Sequence, residues 1–297
     1  MNVYRVELLD FFRVNLPFDW NHVPRVQHQN PVTMHLQTLL LGLLTAAPAL
    51  SASCPAKPPQ PPPPPPAFAN GALLRIMPLG DSITRGVGAT SSNGYRKRLV
   101  SELEKLANVS MVGTERDGDF AGGADRTRHE GHGGFVIDAI RAEALQPEAL
   151  AALKPNVVLV HAGTNDAARN LGVAAAGERF ERLLVDVRAA ASRDAVVIAS
   201  TMIPAQGDEV VDGRIAAMNR DYVARLERLS AADERIRWVD FGGVRDAEAR
   251  LDPSPGAGKF KDTLHPNDKG YAFMADRWVE AIKAAETLGL IKKPDEI

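Results

Sequence analysis

The sequence predicts an α/β protein: a three-layer α/β/α sandwich around a five-stranded parallel sheet. Two observations support this fold class. Short apolar runs alternate along the chain with amphipathic stretches of helical period, and such alternation builds parallel sheets with helices on both faces. The run Val157–Val160 is apolar at every position, as expected for a strand that is covered on both faces.

Five strands and five helices are predicted in turn. The strands are Leu73–Leu79, Val109–Val112, Val157–His161, Val196–Thr201 and Ile236–Phe241. The helices are Tyr95–Leu106, Phe135–Glu143, Ala174–Ala191, Ile215–Leu229 and Asn267–Leu288. In the third helix, apolar side chains recur at i, i+3, i+4 and i+7 from Phe180, which indicates one buried face. Sheets of this kind bind ligands at the carboxyl ends of their strands, so functional residues should follow strands directly.

The residues before position 71 lie outside this predicted domain. The segment Met34–Ser53 has an apolar core followed by small residues, the layout of a secretory signal peptide with cleavage after Ser51 or at the end of the segment. We expect residues 1–33 to be a leader that precedes the true start of translation, and residues 54–70 to be a proline-rich, extended linker. The folded domain then spans residues 71–297 of a secreted, extracellular protein.

Composition and charge narrow the classes of function. The formal net charge of −2 provides no basic surface for nucleic acid, so a neutral substrate is expected. The single cysteine, Cys54, excludes an internal disulfide. Neither a cysteine cluster nor an HExxH helix is present, so no metal and no other cofactor is expected. The protein is expected to be a monomer without a membrane anchor.

A serine follows the first predicted strand directly, in Gly80-Asp81-Ser82. At a strand-to-helix turn its hydroxyl lies at the top of the sheet, beside backbone N–H groups that favour negative charge. The same residue also suits a plain helix N-cap, so this motif alone leaves both interpretations open.

A second motif, Gly163-Thr164-Asn165-Asp166, follows the third predicted strand at the same edge of the sheet. The side-chain amide of Asn165 can donate an N–H to a developing oxyanion, a role worth roughly 3 kcal/mol at comparable sites. An asparagine that closes a turn is the alternative.

A third motif, Asp262-Thr263-Leu264-His265-Pro266, comes late in the chain. The three-residue spacing allows the carboxylate to accept from the Nδ1–H of the histidine while Nε2 faces a serine. A metal-binding pair is an alternative, although no third ligand lies nearby in the sequence. A helix-capping aspartate with an unrelated histidine is another.

A glycine-rich stretch, Gly131-His132-Gly133-Gly134, follows the second predicted strand. Backbone of this flexibility can direct an N–H at a substrate oxygen, and it can equally form a tight turn. His129 and His132 have the i, i+3 spacing of metal ligands, but the glycines argue against the helix that would align them. Three of these motifs follow strands in the order that an esterase needs, which favours an enzyme.

These motifs make the chain resemble the SGNH hydrolases over the stretch from Arg75 to Trp278. Within that superfamily the chain most resembles the acetylxylan esterases of carbohydrate esterase family three. The segments that support this resemblance are RIMPLGDSITRG (Arg75–Gly86), NGYR (Asn93–Arg96), EGHGGFVIDAI (Glu130–Ile140) and LHPNDKGY (Leu264–Tyr271). The resemblance implies the flavodoxin-like SGNH hydrolase fold.

The resemblance also implies roles for individual residues. Ser82 is expected to be the nucleophile, His265 the general base and Asp262 the residue that orients the histidine. The oxyanion hole is expected to consist of the backbone N–H groups of Ser82 and Gly134 and the side-chain amide of Asn165.

Three further residues are candidate substrate contacts, namely Asp81, His132 and Phe135. The family has Gly-His-Ser-Gly-Trp where this chain has Gly-His-Gly-Gly-Phe at positions 131–135. This departure leaves the oxyanion donor in place but changes how the sugar or the acyl group is held.

The function that follows is the hydrolysis of acetyl esters on a plant cell-wall polysaccharide. Acetylxylan is favoured, while mannan, pectin and chito-oligosaccharides remain open. Activity should fall in acid, because a protonated imidazole cannot act as a base. A lipase, lysophospholipase or thioesterase for longer acyl chains is the enzymatic alternative, although no apolar lid segment is evident in the sequence. A non-catalytic carbohydrate-binding protein on an inactive esterase fold is the other alternative.

Overall fold

A computed structural model describes residues 67–120 and 124–297 of the chain. The predicted leader, the signal peptide and residues 54–66 of the linker lie outside the described residues. Phe68–Gly71 forms a 3-10 turn in which Ala69 is buried, so the folded part begins slightly before the expected boundary at residue 71.

The described part of the chain contains seven strands and nine α-helices. The strands are β1 (Leu74–Gly80), β2 (Val109–Met111), β3 (Glu115–Arg116), β4 (Arg128–Gly131), β5 (Val157–His161), β6 (Val196–Ser200) and β7 (Ile236–Val239). The helices are α1 (Ser82–Arg85), α2 (Arg96–Leu103), α3 (Ala124–Thr127), α4 (Ile137–Ala144), α5 (Leu150–Leu153), α6 (Thr164–Arg169), α7 (Ala176–Ala190), α8 (Glu209–Ala232) and α9 (Asp268–Thr287).

The strands form one mostly parallel sheet in the order β3-β4-β1-β5-β6-β7. Strand β2 pairs with the first half of β1 and β4 pairs with its last two residues, both on the edge opposite β5. Only the short β3 runs antiparallel, to β4. All five predicted strands are present and the α/β/α fold class is confirmed. The sheet has two more strands than expected, because β3 and β4 contain no apolar run that would reveal them.

The core lies in two layers on opposite faces of the sheet. In β1 the side chains of Leu74 and Ile76 pack on the face covered by α2 and α9. Those of Met77 and Leu79 pack on the other face, which is covered by α4, α7 and α8. Each fully buried aliphatic side chain contributes about 1.5–3 kcal/mol of transfer free energy, so both faces stabilise the sandwich.

The long helices match the predicted ones, with one difference. Helix α8 begins at Glu209 rather than at Ile215, because the Asp208 side chain caps it by accepting from the N–H groups of Val210 and Val211. Its first turn is mostly exposed and therefore carries no apolar period that the sequence could reveal. No helix in the described ranges is both long enough and apolar enough to cross a membrane.

Arg96, in α2, is a buried cation that joins four separate segments. Its guanidinium donates to four backbone carbonyls, those of Arg85, Ser92, Asp117 and Thr127, at 2.7–2.8 Å. Burial lowers its pKa to about 10, so the group is still protonated at neutral pH. One of these carbonyls is at the end of α1, so Arg96 supports the helix that begins with Ser82.

Replacement of Arg96 is expected to destabilise the fold strongly. Arg96→Gln leaves several buried carbonyls without a donor, and the free energy of unfolding should fall by about 3 kcal/mol or more in urea denaturation. The matched control is Arg98→Gln. Arg98 lies in the same helix as Arg96, and its exposed ion pair with Asp276 of α9 should contribute less than about 1 kcal/mol to the free energy of unfolding. Equal stabilities of the two variants would contradict the role of Arg96.

Candidate active site

Ser82 is the first residue of α1 and lies just after the carboxyl end of β1. The turn that presents it requires glycine at position 80, because a Cβ there would lie 2.2 Å from the His161 carbonyl oxygen and 2.5 Å from Thr84 Oγ1. The Asp81 side chain caps the helix and accepts from the N–H of Ile83 at 2.9 Å. The Gly80-Asp81-Ser82 motif therefore forms a sharp strand-to-helix turn that leaves the serine partly exposed.

Asp81 itself is completely buried. Burial raises its pKa to about 6, against the opposing effects of the Ile83 hydrogen bond and of Thr164. Its carboxylate does not face solvent in this structure, and a contact of Asp81 with the substrate stays a prediction. The residue shapes the turn that carries Ser82.

A chain of hydrogen bonds links Ser82 to the late motif, 183 residues further along the chain. Ser82 Oγ lies 2.8 Å from His265 Nε2, and His265 Nδ1 lies 2.9 Å from Asp262 Oδ2. Because a carboxylate can only accept here, Nδ1 carries the proton and Nε2 is left to accept from the serine. The structure thus brings together the three residues expected as the triad.

The Asp262 carboxylate is fixed by its own loop. Its Oδ1 accepts from the backbone N–H groups of Leu264 at 2.9 Å and His265 at 2.8 Å. Partial burial acts to raise the pKa of Asp262, but these hydrogen bonds and the contact with the imidazole outweigh it, and the pKa is lowered. The short spacing of the motif therefore holds an ionised carboxylate in place against the histidine.

The loop after α1 packs tightly against the loop that carries His265. Gly88 has a φ of +93°, and a Cβ there would lie 3.0 Å from the Cβ of His265. The Tyr271 hydroxyl donates to the Val87 carbonyl at 2.7 Å. The sequence did not reveal these positioning residues, although Tyr271 ends one of the segments on which the family resemblance rests.

The three expected oxyanion donors lie on separate elements. Within the described ranges, the backbone N–H groups of Ser82 and Gly134 have no hydrogen-bond acceptor. Gly134 has a φ of +82°, which few other residues adopt. Asn165, in α6, donates through Nδ2 to the Phe135 carbonyl at 2.9 Å, so it lies against the Gly134 segment and keeps one amide N–H free to donate elsewhere.

His132 and Phe135 form a stacked pair of partly exposed rings, with centroids 5.2 Å apart and planes at 24°. Nε2 of His132 bonds Oε1 of the buried Glu130 at 2.7 Å. Burial alone would lower the pKa of His132, but the hydrogen bond and charge of Glu130 outweigh it and raise the pKa. Unlike Asp81, these two rings are accessible to a substrate.

His129 does not pair with His132. It is buried, and its Nδ1 accepts from the Gly131 N–H at 3.0 Å. Burial, with smaller effects from Arg96 and other nearby cations, lowers its pKa to about 2, so the ring is neutral. Among the described residues, no group of three or more His, Cys, Asp or Glu side chains has an arrangement that would hold a metal ion.

The solved structures that are similar to this chain include two family 3 carbohydrate esterases. The family 3 carbohydrate esterase of Clostridium thermocellum aligns with a TM-score of 0.58 and 22% identity, over 73% of this chain and 98% of its own. A carbohydrate esterase family 3 protein of Talaromyces cellulolyticus aligns with a TM-score of 0.55 and 23% identity, over 72% and 98%. At this level of identity the likeness concerns the fold, and it confirms the expected SGNH sandwich.

Sequence comparisons extend this likeness to a family. A multidomain esterase of Ruminococcus flavefaciens is 27% identical over 272 residues, which cover 84% of this chain and 32% of that protein's length. The model of the GDSL-like lipase/acylhydrolase family matches residues 79–273, a stretch that includes Ser82, Asp262 and His265. The chain therefore belongs to the GDSL-like lipase/acylhydrolase family.

Proposed function

We propose that this esterase removes acetyl groups from a plant cell-wall polysaccharide, with acetylxylan as its main substrate, through an acetyl-enzyme at Ser82. The observation that carries the proposal is the unbroken chain of hydrogen bonds from Ser82 Oγ through His265 to Asp262, at 2.8 and 2.9 Å. A hydroxyl that donates to a correctly oriented imidazole is the arrangement needed for nucleophilic attack on an ester.

In the first step, His265 Nε2 accepts the proton of Ser82 while Oγ attacks the acetyl carbonyl. The negative charge that develops on the carbonyl oxygen is stabilised by the N–H groups of Ser82 and Gly134 and by the Asn165 amide. Asp262 stabilises the imidazolium and holds the ring in place. The C–O bond to the sugar then breaks, and the imidazolium protonates the departing sugar oxygen.

In the second step, water attacks the acetyl group on Ser82, with His265 again accepting a proton. The second tetrahedral intermediate collapses to acetic acid as the imidazolium returns its proton to Ser82 Oγ, and the acid then ionises to acetate in water. The reaction requires no cofactor, since proton transfer and oxyanion stabilisation are both supplied by the chain.

Two observations support a carbohydrate as the substrate. Both solved structures described above are family 3 carbohydrate esterases. A polar cavity of about 410 Å³, lined among others by Asp208, Arg250 and Ser254, lies beside the triad loop. The cavity and the triad loop are in contact, because the backbone N–H of Gln206 donates to the Thr263 carbonyl at 2.7 Å and its side chain donates to the Pro253 carbonyl. Charged and hydroxyl side chains suit the hydroxyl groups of neighbouring sugars better than a long acyl chain.

We also propose that the protein is secreted, that it is a monomer and that it has no membrane anchor. Polymeric xylan lies outside cells, and the signal peptide predicted at residues 34–53 would deliver the domain to it.

The first test is acetate release from acetylated xylan, mannan, pectin and chito-oligosaccharide, measured beside the hydrolysis of 4-nitrophenyl acetate and octanoate. Acetylxylan should be the fastest polysaccharide, and 4-nitrophenyl acetate should exceed the octanoate in kcat/KM by about tenfold or more, since one pocket contact is worth that much.

Ser82→Ala is the control for this assay, because it removes only the hydroxyl and should abolish activity on every ester. Faster turnover of the octanoate would contradict the preference for acetyl esters and would favour a lipase. Acetate release from mannan or pectin but not from xylan would contradict xylan as the substrate, while the assignment of the reaction as deacetylation would be retained.

The second test is the pH dependence of kcat/KM for 4-nitrophenyl acetate. Because the pKa of Asp262 is lowered, its carboxylate stays charged as the pH falls through mild acid. Asp262 should then take up no proton of its own in this range, so log kcat/KM should fall with a slope no steeper than one down to about pH 4.

Asp81→Asn serves as the control, since the pKa of this buried carboxyl is about 6 and its own titration could steepen the profile. The slope should stay no steeper than one in that variant. A slope of two in both proteins, with the fold intact by circular dichroism, would show that a second group of the site titrates and would contradict the expected profile.

A further inference from the structure

A cation lies directly beside the candidate oxyanion hole. Arg169 ends α6 and follows Asn165 by four residues, so both side chains occur on the same face of that helix. A Cβ placed on Gly134 would lie 3.0 Å from Arg169 Nη2. The guanidinium therefore packs against the backbone of the residue whose N–H is expected to face the substrate oxygen.

Arg169 is exposed, and in the described part of the chain nothing accepts a hydrogen bond from it and no carboxylate pairs with it. The nearest acid on the same helix, Asp166, is already bound by Arg179 at 2.6 Å. A second neighbouring cation, Arg214, donates to the Ala167 carbonyl. The protein has thus provided partners for the other two arginines around α6 and left the guanidinium beside Gly134 free.

The oxyanion hole determines which part of a substrate comes close to this group. An ester that reacts at Ser82 must place its carbonyl oxygen near Gly134, so substituents close to the ester on that side pass within reach of Arg169. Guanidinium groups bind carboxylates through two parallel hydrogen bonds, a geometry that an ammonium group cannot reproduce.

We propose that Arg169 binds a carboxylate of the substrate close to the reacting ester, so that the enzyme prefers acidic esters to neutral ones. This proposal rests on the oxyanion hole assigned under the proposed function. A carboxylate near the ester can come from two sources, a uronic acid in the polysaccharide or a dicarboxylic acyl group. Both supply the same chemistry to Arg169.

Two matched pairs of small molecules distinguish these sources. In the first, methyl β-glucuronide and methyl β-glucoside compete with 4-nitrophenyl acetate, and their inhibition constants are compared. In the second, kcat/KM is measured for 4-nitrophenyl hemisuccinate and 4-nitrophenyl butyrate, which have acyl groups of equal length. The wild-type enzyme should favour the carboxylate-bearing member by about tenfold or more in at least one pair, and the pair identifies the source.

The assignment to Arg169 comes from variants tested on the same pairs. Arg169→Gln should bring the preference close to one, while Arg169→Lys should retain part of it because the charge remains. Arg220→Gln removes an exposed arginine of α8 and should leave the preference unchanged. Circular dichroism is used to check that each variant is folded.

Three results would overturn the proposal. The first is no preference in either pair for the wild type, and the second is a preference that survives in Arg169→Gln. An equal loss on charged and neutral members would also overturn it, because the guanidinium would then act on the oxyanion itself. The pairs use simple esters and glycosides, so they decide on Arg169 even if no polysaccharide releases acetate and the proposed function fails.

Discussion

The site depends on one contact across the fold, between a serine at the end of the first strand and a histidine that precedes the last helix. Nothing local brings Ser82 and His265 together, since 183 residues separate them. Their approach rests on the packing of two loops, in which Gly88 leaves room for the histidine and Tyr271 bonds the loop after α1. Thr90 adds two hydrogen bonds to Asp268 at the start of α9. This packing matters for catalysis, because a misplacement of about 1 Å in such a site costs about 10²-fold in rate.

The buried polar groups around this contact hold it in place. Arg96 bonds the carbonyl at the end of the serine helix, and Glu130 binds both His132 and Thr114. These groups lose their contacts with water on folding, and hydrogen bonds within the protein replace most of them, so removal of one member leaves its buried partners unsatisfied. The loops of the site are therefore positioned by internal polar contacts, while the apolar sheet supplies most of the stability.

Much of this could be predicted from the sequence, and the failures have physical reasons. Strands β1, β5 and β6 were evident because they are buried along almost their whole length and hence apolar. The motifs of Ser82 and Asn165 were evident because they follow such strands, and the late motif was evident from the three-residue spacing of Asp262 and His265. Strand β4 was missed because its residues are polar, and the partners that make their burial possible come from distant segments. The complete burial of Asp81 is a tertiary property that the sequence motif does not reveal. Arg169 belongs to no motif, and only its position beside Gly134 gives it significance.

The central claim is that Ser82 is a nucleophile activated by His265. Labelling with a fluorophosphonate, which reacts with activated serines, followed by peptide mapping by mass spectrometry tests it most directly. The account predicts one adduct, on the peptide that contains Ser82, with complete loss of esterase activity and no adduct in His265→Ala. An adduct on a different serine, or undiminished labelling of the histidine variant, would contradict it.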